Sequence, residues 1–267
     1  MEFTETHAHL NDKAFDADRG AVIDRAFKGG VAKIIEIACG AKEWQPAEAL
    51  CAGYSGKMTV VFGIHPHYTE ELSTENLNTL SGFLKKDVCS GIGEIGLDYY
   101  WDNAKKEAQS GLLQAQLEIS NASGRSCVFH ARNGKDPEAD NAYLDLALEL
   151  KKKWTLNNKK RARGVLHCFS GSWADAKAGL ELGLFLGVNG TFTYKKNDEL
   201  RGIIKKAGLA NIVLETDCPY LPVQNMRGKR NDPSFIPAIA AAAAEFLGAR
   251  VEELAEATTV NASELFF

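Results

Sequence analysis

The chain has 267 residues, 45% of them hydrophobic and 25% charged, which is the make-up of an average soluble globular protein able to bury a large core without disulfides or metals. A formal net charge of -4 excludes coating of nucleic acid through bulk positive charge and leaves room only for a local basic patch. The longest uncharged apolar run, 234–244, falls short of the roughly 18 residues that a spanning helix needs, so no membrane contact is expected.

Eight short apolar or β-branched runs follow in chain order, at 3–6, 33–38, 58–63, 88–92, 126–129, 163–166, 184–188 and 211–215. Their starts lie on average about 30 residues apart, which leaves room between each pair for one crossover helix with loops. Intervening segments carry helical periodicity, as in Leu112, Leu113, Leu117 with Ile119, and Tyr143, Leu144, Ala147, Leu148 with Leu150. Helices close the chain after the eighth strand, the first opening near Pro237. Apolar strands alternating with amphipathic helices indicate an α/β protein with a parallel sheet. Eight units with no break in order favour a (β/α)₈ TIM barrel, a single domain over residues 1–267, above a doubly wound open sheet. The basic run 151–163 reads as a solvated helix end and loop, narrowly preferred to a nucleic-acid contact.

The six cysteines lie at least 12 residues apart with no Cys-x-x-Cys, the pattern of reduced core thiols rather than of a disulfide framework. The acidic start, Met1 to Glu5, runs directly into His7 with no charged-then-apolar signal segment, so a cytoplasmic location is expected. No obligate protein partner is indicated.

All six histidines fall at the C-terminal ends of predicted strands: His7 and His9, His65 and His67, His130, and His167. In a parallel βα barrel these ends converge on one face, where barrel enzymes assemble their sites. Any one of them alone is more often a hydrogen-bonded core residue; six from four strands are hard to explain by packing. Glu94 and Asp217 join them at the same level, after the fourth and eighth strands, and imidazoles with carboxylates are the ligand set of divalent ions. The spacing His7-Ala8-His9 puts two rings on one face of a strand, able to share an ion. A second ion is expected because the ligands outnumber one tetrahedral site, and a carboxylate such as Glu94 can bridge two ions about 3.5–4 Å apart. His65-Pro66-His67 has the same spacing broken by proline, which fits contact with a substrate phosphate as well as ligation.

Gly91-Ile92-Gly93-Glu94-Ile95-Gly96 matches the dinucleotide fingerprint formally, but a carboxylate in its middle would repel pyrophosphate, and the glycines read better as bends around a metal ligand. No phosphate-binding G-x-x-x-x-G-K-[ST] loop and no G-x-S-x-G elbow occurs. Cations at the rim of such a site, Arg132 and the run Arg227-Gly228-Lys229-Arg230-Asn231, suit a phosphate-bearing substrate. Tyr99, Tyr100, Trp101, Phe192 and Tyr194 fall in loops on the same face and are candidates for stacking bases of single-stranded nucleic acid.

With these residues assembled, the sequence resembles the TatD family of metal-dependent deoxyribonucleases, among the amidohydrolase-like barrels. The resemblance rests on Thr6 to Leu10, Gly63 to His67, Gly93 to Tyr99, His130-Ala131-Arg132, His167 to Gly171, Glu215 to Leu221, Arg227 to Asn231 and the closing Asn261 to Phe266. It implies one ion held by His7, His9, Glu94 and Asp217 and a second by Glu94, His130 and His167, the ions being Mg²⁺, Mn²⁺ or Zn²⁺. Two departures stand out: Glu5 where the family usually has aspartate, and Asp232 where it usually has glutamate. The function expected is a DNase of 3′-5′ exonuclease type acting on DNA, single-stranded or with a free 3′ end. Asp217, Glu94 and His65 would carry catalysis, with Asp217 accepting the proton of the attacking water, and His65, Arg132, Lys229 and Arg230 would hold substrate. An amidohydrolase-like enzyme cutting a small-molecule C–N or ester bond is the alternative, and a non-catalytic DNA-binding scaffold the alternative from another class.

Overall fold

A computed structural model describes residues 1–154 and 164–267. Eight parallel strands run in the order of the chain: β1 Phe3–Ala8, β2 Val31–Ala38, β3 Met58–Phe62, β4 Cys89–Asp98, β5 Ser126–Arg132, β6 Gly164–Leu166, β7 Leu184–Val188 and β8 Ile212–Leu214. One helix follows each strand: α1 Arg19–Lys28, α2 Ala41–Ala52, α3 Thr74–Phe83, α4 Lys106–Ser123, α5 Ala142–Lys153, α6 Trp173–Glu181, α7 Asp198–Ala207 and α8 Ile236–Leu247; α9 Val251–Phe266 is added at the end. This is the (β/α)₈ barrel expected from the spacing. Of the basic run 151–163, Lys151, Lys152 and Lys153 end α5, and 155–163 lie outside the described residues.

Strand periodicity divides the core into two layers. Ile35 and Ile37 of β2, Val61 of β3, Val128 of β5, Val165 of β6, Phe185 of β7 and Val213 of β8 point into the barrel. Alternate residues such as Ile34, Val60, Phe62, Cys127 and Phe129 pack outward beneath the helices. The floor of the barrel is closed by α9, whose Ala262, Leu265 and Phe266 join the inward layer; full burial contributes about 2 kcal/mol for each of the two large side chains. Asn261 anchors this plug by donating to the carbonyls of Leu209 and Ile212, each at 2.8 Å.

Two residues further along the same inward face, the chemistry begins. His130 follows Val128, His167 follows Val165 and Glu215 follows Val213, so the period that builds the apolar floor also aims these side chains upward into one space. β4 is longer than its sequence suggests: it runs ten residues to Asp98, and Glu94 lies inside the strand rather than after it. The glycines explain the difference, because they lower strand propensity yet let β4 lie against its neighbours. A Cβ on Gly93 would stand 2.7 Å from the Val128 carbonyl oxygen.

The seam between β8 and β1 is built differently from the other seven. Among the described residues its strand pairing is one bridge, Ala8 with Cys218. Side chains supplement it: Thr6 donates its hydroxyl to the Leu214 carbonyl at 2.9 Å, and Glu5 Oε1 accepts from the amides of both His7 and Thr216 at 2.9 Å. Buried completely, the Glu5 carboxyl is pushed up to about 8, its hydrogen bonds only partly opposing that shift.

Candidate metal centre

His7, His9, His65, His67, Glu94, His130, His167 and Asp217 converge at the C-terminal end of the barrel, and all but the fully buried His7 line one cavity of about 880 Å³. Glu94 stands between two groups of imidazoles. Its Oε1 lies 2.5 Å from His130 Nδ1 and 3.0 Å from His167 Nε2, while its Oε2 faces His7 Nε2 at 3.5 Å. On the far side of His7, Asp217 Oδ1 lies 3.4 Å from His9 Nε2 and 3.8 Å from His7 Nε2. Asp217 is held by its backbone: it adopts φ +58 and donates its amide to the His7 carbonyl at 2.9 Å.

The donor set fits divalent ions. His7 Nε2 and His9 Nε2 approach to 3.2 Å beside the Asp217 carboxylate, an arrangement in which one nitrogen can at best donate to the other; a cation satisfies both lone pairs. His7, His9 and Asp217 offer ligand atoms within 4.8 Å of one another, as do His65, Glu94 and His130. Behind His167, the buried Glu215 faces Nδ1 at 3.5 Å, the placement by which a carboxylate orients a ligating imidazole.

Charge in this cluster is strongly mutual. Burial by itself would raise Glu94, yet His167 and His130 hold its carboxyl well below the usual carboxylate range. Burial opposes charge on His9 too, and the Asp217 carboxylate overrides it, raising His9 to about 9. Burial and the charge of His167 push His7 below its ordinary value. The carboxylates therefore draw protons onto neighbouring rings, the role that a divalent ion would take over.

Around the mouth, the expected substrate residues are distributed unevenly. His65 lines the cavity, its Nε2 3.7 Å from Glu94 Oε1. Arg132 also lines it, exposed, with its guanidinium 4.2 Å above the Tyr100 ring. Lys229 is exposed outside the cavity lining. Arg230 is engaged elsewhere: it pairs with both oxygens of Asp18, at 2.8 and 2.6 Å, and donates to the Ala14 carbonyl. Of the loop aromatics, Trp101 and Tyr100 are exposed, whereas Phe192 is buried and Tyr99 is tied by its hydroxyl to Asp145. Two exposed rings that sequence reading misses complete the mouth: Tyr220, 6.2 Å from the His9 ring, and Tyr68, 6.1 Å from the His65 ring. Cys39 is missed as well and donates from Sγ to Glu94 Oε2 at 3.6 Å.

An eight-stranded barrel with imidazoles and carboxylates gathered at its C-terminal rim is the architecture of a metal-dependent hydrolase. A family model described as TatD related DNase matches residues 4–267. The chain is 32% identical to the 3′-5′ ssDNA/RNA exonuclease TatD of Pantoea vagans, covering 97% of this chain and 96% of the relative. It is 29% identical to YabD of Bacillus subtilis, described as an uncharacterized metal-dependent hydrolase, over 98% of both chains. The crystal structure of the TatD homologue YjjV of Escherichia coli K12 superposes with a TM-score of 0.89 at 32% identity, covering 99% of this chain and 97% of that one. The chain belongs to the TatD-related DNase family.

Proposed function

We propose that residues 1–267 act as one domain, a two-metal nuclease that shortens single-stranded nucleic acid from a free 3′ end. The observation that carries this reading is Glu94, interposed between two imidazole groups with one oxygen toward each. His7, His9, Glu94 and Asp217 would hold one ion, and Glu94, His130 and His167 the other. When bound, such ions acidify water and stabilise the charge that grows on a phosphodiester in the transition state. Asp217 would accept the proton of the attacking water on a carboxylate oxygen, since its side chain opens onto the cavity. His65 and Arg132 would face the phosphate. Single-strand preference is supported by the exposed rings of Trp101, Tyr68 and Tyr220, which offer stacking faces that a paired base cannot reach. The 3′ polarity is supported by the relative from Pantoea vagans, whose name states it.

The test is to strip the protein with chelator, add back Mg²⁺, Mn²⁺ or Zn²⁺ in turn, and follow end-labelled single-stranded and duplex DNA. A metal-dependent ladder shortening from the 3′ end of the single strand is expected. Cleavage of lactones or amides with DNA untouched would replace the proposal with the C–N or ester reading, and DNA binding without turnover would replace it with the scaffold.

Metal affinity should also depend on pH with a definite sign. His9, raised to about 9, carries a proton at neutral pH that it must release to become a ligand. Affinity therefore rises with pH up to about 9, by up to about tenfold per unit for each proton released. Competition titrations against a chromophoric chelator at successive pH values measure the slope, and a flat profile would contradict the ligand role of His9.

A further inference from the structure

Asp98 ends β4, four residues beyond Glu94 on the same inward face, and its side chain is 1% exposed. Both of its oxygens are committed. Oδ2 accepts from His130 Nε2 at 3.0 Å and lies 3.1 Å from His67 Nε2. Oδ1 accepts from the amides of Tyr100 at 2.9 Å and Trp101 at 3.2 Å. The main chain of Asp98 is itself clamped by the buried Gln109 of α4, which accepts from the Asp98 amide at 2.7 Å and donates to its carbonyl at 2.8 Å. A carboxylate that merely capped the turn would use one oxygen and could remain exposed to water. Here the second oxygen is buried against the imidazole whose other nitrogen faces Glu94.

We propose that Asp98 is a positioning residue that couples the metal centre to the substrate platform: it fixes His130 with the proton on Nε2 and Nδ1 free for an ion, and it sets the turn that presents Tyr100 and Trp101. This rests on the ligand role of His130 in the proposed nuclease. An imidazole held by a buried carboxylate is locked in tautomer and ring orientation, and loss of such a partner lowers metal affinity by about 10–100-fold. The same carboxylate fixes the backbone beneath two exposed aromatic rings, so ion binding and base stacking share one anchor.

The variant Asp98→Asn keeps the size of the side chain and loses the ability to accept on both sides at once, because one of its two terminal atoms is now a donor. It is expected to fold, as judged by circular dichroism, and to bind Mn²⁺ or Zn²⁺ about 10–100-fold more weakly in chelator competition. Side-chain ¹⁵N spectra of the Zn²⁺-loaded wild type should show His130 protonated at Nε2 and coordinated at Nδ1, with the Nε2 proton signal displaced in the variant. Saturating metal should restore kcat to Asp98→Asn, whereas Asp98→Ala should also raise KM for a single-stranded oligonucleotide. Equal affinity in wild type and a folded Asp98→Asn, or an unmoved His130 signal, would overturn the coupling. A folded wild type that binds no ion would overturn the ligand assignment beneath it.

Discussion

An Asp217→Ala protein is expected to remain folded and to hydrolyse single-stranded DNA at least about a thousandfold more slowly than wild type, the upper part of the range that a positioned base contributes. The barrel does not depend on this carboxylate: the Asp217 amide bond to the His7 carbonyl survives the substitution, and β8 ends three residues earlier at Leu214. Alanine tolerates the φ of +58 less well than aspartate, at a stability cost of about 1 kcal/mol visible as a small drop in Tm. Asp217→Asn avoids that cost, since asparagine adopts this conformation readily, and still supplies no base. The pair separates backbone from chemistry: melting distinguishes the two variants, and a discontinuous assay on labelled oligonucleotide should find both inactive. Near-normal turnover in either folded variant would remove Asp217 from the reaction.

Gly96→Ala is expected to be the most damaging single methyl group in the molecule. Gly96 sits at φ +149, and a Cβ there would fall 1.9 Å from the His130 carbonyl oxygen and 2.9 Å from its carbonyl carbon. The two residues are register partners across the β4–β5 ladder, so relief requires separating the strands at the level of the metal centre. Loss of about 3 kcal/mol or more is expected, read by denaturant unfolding, together with weakened metal binding because His130 moves with its backbone. Gly111→Ala provides the opposite sign in the same protein: that glycine lies in α4, where an added methyl group would meet nothing within 4 Å among the described residues, and the change should stabilise by about 1 kcal/mol. A stable Gly96→Ala barrel with intact metal affinity would show that the ladder yields more easily than its geometry implies.

What can be read from sequence follows from period and spacing. Apolar runs every thirty or so residues specify a barrel because each strand needs one crossover helix, and six histidines at strand ends specify which rim carries the chemistry. The far boundary of β4 is hidden because Gly91, Gly93 and Gly96 look like loop residues until strand–strand proximity is known. Asp98 is recoverable: from Glu94 the strand period passes through Gly96 to Asp98 on one face, which places a second carboxylate above the first. Glu215, two residues before Asp217, is recoverable in the same way. Arg230 illustrates the limit. Its basic run marks a rim rich in cations, but nothing local reveals that Asp18, 212 residues away, occupies the guanidinium. Tyr68 and Tyr220 are equally hidden, because their place at the mouth depends on how their loops fold back over the imidazoles.

His7, His9 and Asp217 sit on the thinly paired seam between β8 and β1, where the Asp217 amide donates to the His7 carbonyl and the His9 amide to the Cys218 carbonyl. Glu5 and Thr216, which join across it, are 211 residues apart in the chain. A chain ending before β8 therefore has His7 and His9 without Asp217, and the ion proposed for these three residues would lack one of its ligands. With Asp217 in the roles proposed above, cleavage of nucleic acid would begin only once the last strand closes the ring.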